Sequence, residues 1–326
     1  MFSIIIPLYN KAPYIEKALR SIQAQTYRAF EVIVIDDGST DIAPHPPKGG
    51  VKLAYIDLEL LLGDRGQIIR QKNQGVSVAR NNGVKLAKYP YICFLDADDW
   101  WAPTFLEEMK ALIEEFPDAG IYGTSYYIVK NGNQRVAPIG VPEGFEKGEI
   151  NYCQVYAKTL CMPLTSISIC VPKTIFDSEK GFKPKLKLGE DFDLWVRIAM
   201  KNNVVLLNKP LAYYNQDVDL NFRAVSAGKF YKPEEHMLFT DYGDWMEDED
   251  FRYLFERLAL YGLLRYYLSG KNQNEVNRII NGIDLRKHER KYRLYYKILP
   301  RKLVNFYFIF LENISVLKNK IKRKTV

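Results

Sequence analysis

Phe94-Leu95-Asp96-Ala97-Asp98-Asp99-Trp100 decides how this chain is read. The apolar run from Tyr91 to Leu95 reads as a buried strand, and it ends in three carboxylates within four residues. A buried strand cannot hold that much unpaired charge, so the acids belong at its exposed carboxyl end, where open α/β sheets bind ligands. Two or three oxygens on a rigid strand end suit Mg²⁺ or Mn²⁺, ions that keep coordination positions open for phosphate oxygens. The competing reading is an Asp-rich turn or helix N-cap ahead of Trp100-Trp101-Ala102-Pro103, and the stretch by itself weighs evenly between the two.

Further motifs lie on either side. Phe2-Ser3-Ile4-Ile5-Ile6-Pro7 reads as another buried strand, and Leu8 to Pro13 as a loop opening an amphipathic helix. Ile15, Ala18, Leu19 and Ile22 fall at i, i+3, i+4 and i+7, and Pro13 suits a first helical turn. The run Glu31 to Ile35 ends in Asp36-Asp37-Gly38-Ser39-Thr40-Asp41, so acids again close a parallel strand. Gln71 to Gly83 reads as a strand end, a glycine turn and a helix start, with Arg80 one turn in. From there a guanidinium can reach back over the strand ends to a nucleotide or phosphate, although a solvated helix arginine is the plainer reading of that motif alone.

Taken in order, Ser3-Ile4-Ile5-Ile6-Pro7-Leu8-Tyr9-Asn10, Asp36 to Asp41, Asn73-Gln74-Gly75-Val76-Ser77-Val78-Ala79-Arg80-Asn81 and Asp96-Ala97-Asp98-Asp99 resemble the inverting nucleotide-sugar glycosyltransferases of the GT-A fold, glycosyltransferase family 2. Gly189-Glu190-Asp191-Phe192-Asp193-Leu194-Trp195-Val196-Arg197 resembles the Glu-Asp motif of that family and follows a Gly181-Phe182 lead-in. Coverage runs from Met1 to about Tyr214. Each motif is weak alone, whereas five in register are specific.

The resemblance implies a role for each matching residue. Pro7 and Tyr9 would border the nucleotide base, Asp37 would accept a hydrogen bond from a base ring nitrogen, and Arg80 would contact the nucleotide. An acceptor-only carboxylate facing a ring N–H favours uracil, hence a UDP-sugar donor. Asp96 would meet the ribose, while Asp98, with Asp99, would hold a Mg²⁺ or Mn²⁺ that bridges the diphosphate. Asp191 would be the general base, poised by Glu190 and local burial. The acceptor expected of such an enzyme is a saccharide or lipid-linked saccharide in cell-surface polysaccharide synthesis. A structural reading stands beside the catalytic one for Glu190 and Asp191, since acids favour helix N-termini and Phe192, Trp195, Val196 and Ala199 form an apolar face.

One departure from the family pattern is clear. After Asp41 a helix is usual, but Ile42 to Gly50 contains three prolines and cannot continue one. Val51 to Gly66 is read instead as a strand followed by a hairpin or short helix. His45, His236 and His288 have no metal-ligand spacing, and Cys93, Cys153, Cys161 and Cys170 show no Cys-x-x-Cys pairing, so reduced thiols are expected.

With 326 residues, 47% hydrophobic and 26% charged, the composition suits one large domain plus an appendage. The first strand leaves no room for a signal peptide, and no apolar run approaches the roughly 18 residues needed to span a bilayer. A cytoplasmic enzyme, peripheral on the inner face of the cell membrane at most, is therefore expected.

Charge concentrates at the C-terminus, where Arg286 to Val326 holds 13 Lys and Arg against 2 acids while the whole chain carries only +7. The remainder is thus mildly acidic. Leu303, Tyr307, Phe310, Ile314, Leu317 and Ile321 alternate spacings of four and three, with Phe306 and Phe308 beside them, and a basic run closes the stripe. Core packing, a homodimer seam and an anionic membrane surface compete to explain it; nucleic acid is disfavoured, lacking any base-reading motif.

The expected architecture is α/β: a GT-A domain over residues 1–221, its Rossmann-like mixed sheet flanked by helices, then a helical, C-terminally basic region over 222–326. A helix from about Asp250 through Gly270, with Phe251, Leu254, Phe255, Leu258 and Tyr261 on one face, would join the two, after a solvated loop from Asp241 to Asp250. Two rivals from other classes are a catalytically dead membrane-docking scaffold and a sugar-nucleotide pyrophosphorylase. The former would be expected to lose Asp98 or Asp191, and the latter needs a glycine-rich loop that Pro7 to Pro13 lacks.

Overall fold

The computed structural model describes residues 1–42, 54–218 and 229–310. The chain forms two compact units, Met1–Met237 and Leu238–Val326. Residue 221, where composition put the end of the first domain, lies outside the described residues. Residues 229–237 stay with the first unit, in which Leu188 and His236 form a parallel bridge.

The first unit is built on one mixed sheet. Strands β1 (Phe2–Leu8), β2 (Phe30–Asp36), β3 (Gly66–Arg70) and β4 (Tyr91–Phe94) run parallel, interleaved with helices α1 (Ala12–Gln23), α2 (Tyr55–Leu62) and α3 (Val76–Leu86). As the unbroken apolar runs of β1 and β2 require, both strands are covered on both faces. Ile15, Ala18, Leu19 and Ile22 are the buried residues of α1, the stripe that the spacing predicts. The sheet continues through β5 (Trp100–Trp101), α4 (Phe105–Glu115), β6 (Ile121–Lys130), β7 (Asn133–Val136), β8 (Lys147–Ile150), α5 (Tyr152–Thr159), β9 (Ile169–Pro172), α6 (Lys173–Ser178), α7 (Glu190–Ala199) and β10 (Val204–Asn215). Its order is β3-β2-β1-β4-β9-β6-β10-β5, with β7 on β6 and β8 on β10. β9 is antiparallel to both β4 and β6, which makes the sheet mixed.

This order places the ligand crevice. The chain leaves β1 for β2 and β3, then returns to the other side of β1 as β4. At such a switch point the connections diverge and expose the carboxyl ends of β1 and β4, where Tyr9 and Asp96 follow. Close packing of α3 on β1 depends on Gly83, because a Cβ there would come within 2.4 Å of Ile5 Cγ2.

Between Val51 and Gly66, residues 51–53, where a strand is expected, lie outside the described residues, as does His45; of the hairpin or short helix expected after it, the helix is present as α2 and leads into β3. Asp57 closes the first turn of α2 by accepting from the Ala54 backbone N–H at 2.9 Å, and Leu58 is buried. Leu58-Glu59-Leu60-Leu61-Leu62 is too uniformly apolar to show a helical period, so the pattern left hairpin and helix undecided.

In the second unit α8 (Glu249–Gly262) is followed by α9 (Leu264–Ser269), α10 (Gln273–Asn281), α11 (Arg290–Arg293) and a helical stretch over 301–310. The single helix expected over Asp250 to Gly270 is broken after Gly262. Phe251, Leu254, Phe255 and Leu258 are buried, whereas Tyr261 is 69% exposed. At about 100° per residue Tyr261 falls about 20° beyond Leu254, at the edge of the buried stripe. The preceding segment is more than a solvated loop. A short 3₁₀ turn over Gly243–Glu247 helps seat Tyr242 against Phe251 and Phe255, with ring centroids 5.2 and 5.7 Å apart. Asp248 then caps α8 through the Phe251 N–H at 2.8 Å.

Along 301–310 only Val304 is buried, while Leu303, Phe306, Tyr307, Ile309 and Phe310 are exposed. The rest of that stripe and the closing basic run lie outside the described residues. Among the described residues no helix is long and apolar enough to cross a membrane. The four cysteines are free thiols; burial and neighbouring Cys93 push Cys170 well above the ordinary thiol range.

Candidate active site

Asp96, Asp98 and Asp99 stand at the carboxyl end of β4, in three different environments. Asp96 Oδ1 accepts from Arg80 Nη2 at 2.8 Å. Asp98 Oδ2 meets Lys11 Nζ at 2.5 Å. Asp99 is buried, and its Oδ1 accepts from the Asn215 backbone N–H at 2.7 Å, which ties the acidic turn to the end of β10. Burial and then the charge of Asp96 push the Asp98 carboxyl above its ordinary value, while Lys11 opposes them. For Asp99 burial comes first, then Asp98 and Asp96, and the shift upward is larger. Three carboxylates thus crowd one turn against two cations, Arg80 and Lys11. Among the described residues no three His, Cys, Asp or Glu side chains converge as a ready ion cage. Hard carboxylate oxygens with this unmet demand fit a Mg²⁺ or Mn²⁺ whose remaining positions a diphosphate would fill, with Asp98 foremost and Asp99 behind it.

Arg80, on α3, is almost fully enclosed, its side chain only 4% exposed. Besides Asp96 it donates from Nη1 to Glu190 Oε1 at 3.1 Å, and its guanidinium lies 5.2 Å from the centroid of Phe182. Burial works against its charge, but Asp96 and Glu190 more than offset that and hold it protonated. Both terminal nitrogens are thus engaged within the protein, joining the end of β4 to the start of α7.

Glu190 and Asp191 open α7, consistent with both roles weighed for them. Gly189 precedes them at φ +78°, and a Cβ at that position would lie 2.3 Å from Met237 Sδ, so glycine alone fits. Asp193 and Arg197, buried on the same helix, fix the lead-in segment. Lys183 Nζ and Arg197 Nε donate to Asp193 at 2.7 and 3.0 Å, and Arg197 Nη2 donates to the Gly181 carbonyl at 2.7 Å. Phe182 is held in this way between Arg80 and Trp195.

Burial, followed by the charge of Glu190, pushes the Asp191 carboxyl up to about 7. Arg80 and the Phe192 N–H, which donates to Asp191 Oδ1 at 2.8 Å, pull the other way without prevailing. Three tyrosines share this field: burial and then surrounding charges, Asp191 among them, raise Tyr152 and Tyr156 on α5 and Tyr214 on β10. The Tyr152 hydroxyl is buried with no hydrogen-bond partner among the described residues.

At the end of β1, Pro7 is half-buried and Tyr9 is 47% exposed. Asp37 is buried, and its Oδ1 accepts from Gln71 Nε2 and the Gln74 N–H at 2.7 and 2.9 Å, its Oδ2 from the Gly75 N–H at 2.8 Å. It therefore shapes the glycine turn ahead of α3. Asn10 locks the facing loop, accepting from the Thr40 N–H at 2.8 Å and donating its own N–H to Ser39 Oγ at 3.1 Å. Lys11, Asn10 and the tyrosines escaped the sequence reading. Lys11 adjoins Tyr9-Asn10, but nothing local signals that it meets an acid 87 positions away.

An acid-ended parallel strand at a topological switch point, faced by a helix that opens with a Glu-Asp pair, defines the GT-A class of fold. The family model for glycosyl transferase family 2 matches residues 3–168, and the chain belongs to that family. An uncharacterised glycosyltransferase of Rickettsia conorii is 30% identical over 211 residues, 64% of this chain and 32% of its own length, so the chain spans only that share of this relative. The amylovoran biosynthesis glycosyltransferase AmsB of Erwinia amylovora is 29% identical over 226 residues, covering 66% of this chain and 69% of that protein. A crystal structure of S. aureus TarS 1-349 in complex with UDP-GlcNAc shares the fold at TM-score 0.63 and 20% identity, over 87% of this chain and 82% of that one.

Replacing Arg80 with Met leaves Asp96 and Glu190 facing each other without a cation. The expected loss of stability is about 3 kcal/mol, and Arg80→Lys should recover only part of it, because an ammonium cannot fork to two carboxylates. Urea denaturation checks this; a loss below about 1 kcal/mol would mean that solvent already carries those charges.

Proposed function

We propose that the chain is a metal-assisted inverting glycosyltransferase that moves a sugar from a nucleotide diphosphate donor, a UDP-sugar, to a saccharide or lipid-linked saccharide in polysaccharide synthesis. The observation that carries this reading is Asp191, its carboxyl raised to about 7, next to Glu190, whose partner Arg80 also holds the strand-end Asp96. The sugar polymer named for AmsB and the UDP-GlcNAc bound by TarS support the substrate class.

In this reading Tyr9 and Pro7 border the base, Asp37 and the turn it shapes face the ring edge, and Asp96, oriented by Arg80, meets the ribose. Ionised Asp191 takes the proton of the acceptor hydroxyl as its oxygen attacks the anomeric carbon from the face opposite the diphosphate. The new C–O bond forms as the bond to the diphosphate breaks, and the configuration inverts. A divalent ion at Asp98 and Asp99 would, when bound, neutralise the leaving diphosphate as a Lewis acid.

The pH dependence has a definite sign. Asp191 works as the carboxylate, so turnover should rise as pH passes through about 7 and level above it. Its raised value also means that its contribution to stability is full below the ordinary carboxyl value of 3.8 and is lost as pH rises through about 7. Asp191→Asn should keep donor affinity in calorimetry with UDP-sugars and Mn²⁺ yet lose turnover by roughly a hundredfold or more. Collapse of donor affinity instead would move Asp191 into the donor pocket. Thermal stabilisation by a GDP-sugar with Mn²⁺, and none by UDP, would overturn the choice of uridine.

We further propose that the C-terminal unit meets an anionic membrane. Leu303, Phe306, Tyr307, Ile309 and Phe310 are exposed beside Arg301 and Lys302, an apolar and basic surface that suits a bilayer interface. Deleting residues 301–326 should leave donor hydrolysis nearly unchanged and weaken co-sedimentation with anionic vesicles. Salt should weaken it too, since screening acts over about 8 Å at physiological ionic strength. An intact chain that ignores vesicles, with a truncated one that changes oligomeric state, would make the stripe a protein interface.

A further inference from the structure

Lys11 is a cation of the acidic turn that the functional reading leaves unused. Its backbone is fixed at the start of α1, its carbonyl accepting from the N–H groups of Tyr14 and Ile15 at 3.0 and 3.1 Å. The next residue is anchored as well, the Ala12 N–H donating to Asp41 Oδ2 at 2.9 Å. From this base the side chain reaches the acidic turn and sets its ammonium 2.5 Å from Asp98 Oδ2, with the two side chains only 13% and 18% exposed. The loop from which it projects also presents Tyr9. A positive charge thus sits at the carboxylate best placed to take a metal ion, and it is supplied by the loop expected to border the nucleotide.

We propose that Lys11 is the resident counter-ion of Asp98, exchanged for the divalent ion when the donor diphosphate arrives. This rests on the metal-assisted reading above and adds an order of events to it. Without donor, a free ion must displace an ammonium that is already paired and shielded from water, and it repels that ammonium at close range, so the ion binds weakly. With donor present, the diphosphate offers Lys11 a second anionic partner within reach of its flexible four-carbon stem, and Asp98 is released to the ion. The ion and the diphosphate therefore enter as a linked pair, and the acidic turn keeps a cation before and after the exchange. The loop carrying Lys11 in this way senses whether a nucleotide diphosphate is in place.

Direct Mn²⁺ binding by the whole 326-residue chain tests the exchange, measured by electron paramagnetic resonance at pH 8 with and without UDP. Lys11→Met and Lys11→Gln should bind Mn²⁺ without nucleotide roughly tenfold more tightly than the unaltered protein, since a competing cation is gone. Adding UDP should tighten Mn²⁺ binding strongly in the unaltered protein and much less in either variant. Lys11→Arg, which keeps the charge, should behave like the unaltered protein. Donor-free affinities equal across all four proteins, or weaker in the two neutral variants, would overturn the exchange while leaving the metal-assisted reading in place. Absence of Mn²⁺ binding by the unaltered protein even with UDP would overturn that reading and the exchange with it.

Discussion

The buried guanidinium of Arg80 joins Asp96 at the end of β4 to Glu190 at the start of α7, two elements that lie far apart in sequence. Removing a charge from water is tolerable only when it is fully paired, and here the pairing takes one acid from each side of the site. That requirement propagates outward. Phe182 covers the guanidinium, Arg197 and Asp193 hold the segment bearing Phe182, and Gly189 lets α7 begin close enough for Glu190 to reach. Asp191, next in line, is thereby fixed in a crowded, poorly solvated place where Glu190 raises its pKa toward neutrality.

A second charge pairing, Lys11 with Asp98, works on the other side of the same turn. The two cations differ in what they can do. Arg80 is forked, always charged and enclosed, which suits a permanent tie; Lys11 has a single ammonium on a flexible stem, which suits an exchange. The acidic turn is in this way half anchored and half adjustable. Asp99, bonded to the Asn215 N–H, fixes the backbone on which both halves depend.

Much of this was legible in the chain. Continuous apolar runs located β1, β2 and β4, the last two ending in acids, because only a buried parallel strand tolerates such composition and only its end tolerates the charge. The stripe of α1 and the helix opening at Glu190 followed from periodicity alone. What escaped is of two kinds. Helix α2 could not be told from a hairpin because near-uniform leucine content carries no period, and Tyr261 was placed on the buried face of α8 although it lies at that face's edge. The partners of Asp98, Asp96 and Asp37 were hidden for a different reason. Lys11 and Arg80 meet Asp98 and Asp96 only through the return of the chain to β1, and the turn at Gln74 and Gly75 meets Asp37 through the pairing of β3 with β2; no local pattern encodes a contact made by topology.

The dependence on Arg80 is tested most directly by a double-mutant cycle. Asp96→Asn and Glu190→Gln, singly and together, are compared in kcat/KM with a UDP-sugar and in urea stability, in the unaltered chain and in an Arg80→Met background. If the guanidinium couples the two acids, the cycle should show an interaction energy of about 1 kcal/mol or more that disappears once Arg80 is gone. Effects that add to within about 0.5 kcal/mol in both backgrounds would show that the strand end and the helix start are positioned independently, and would contradict it.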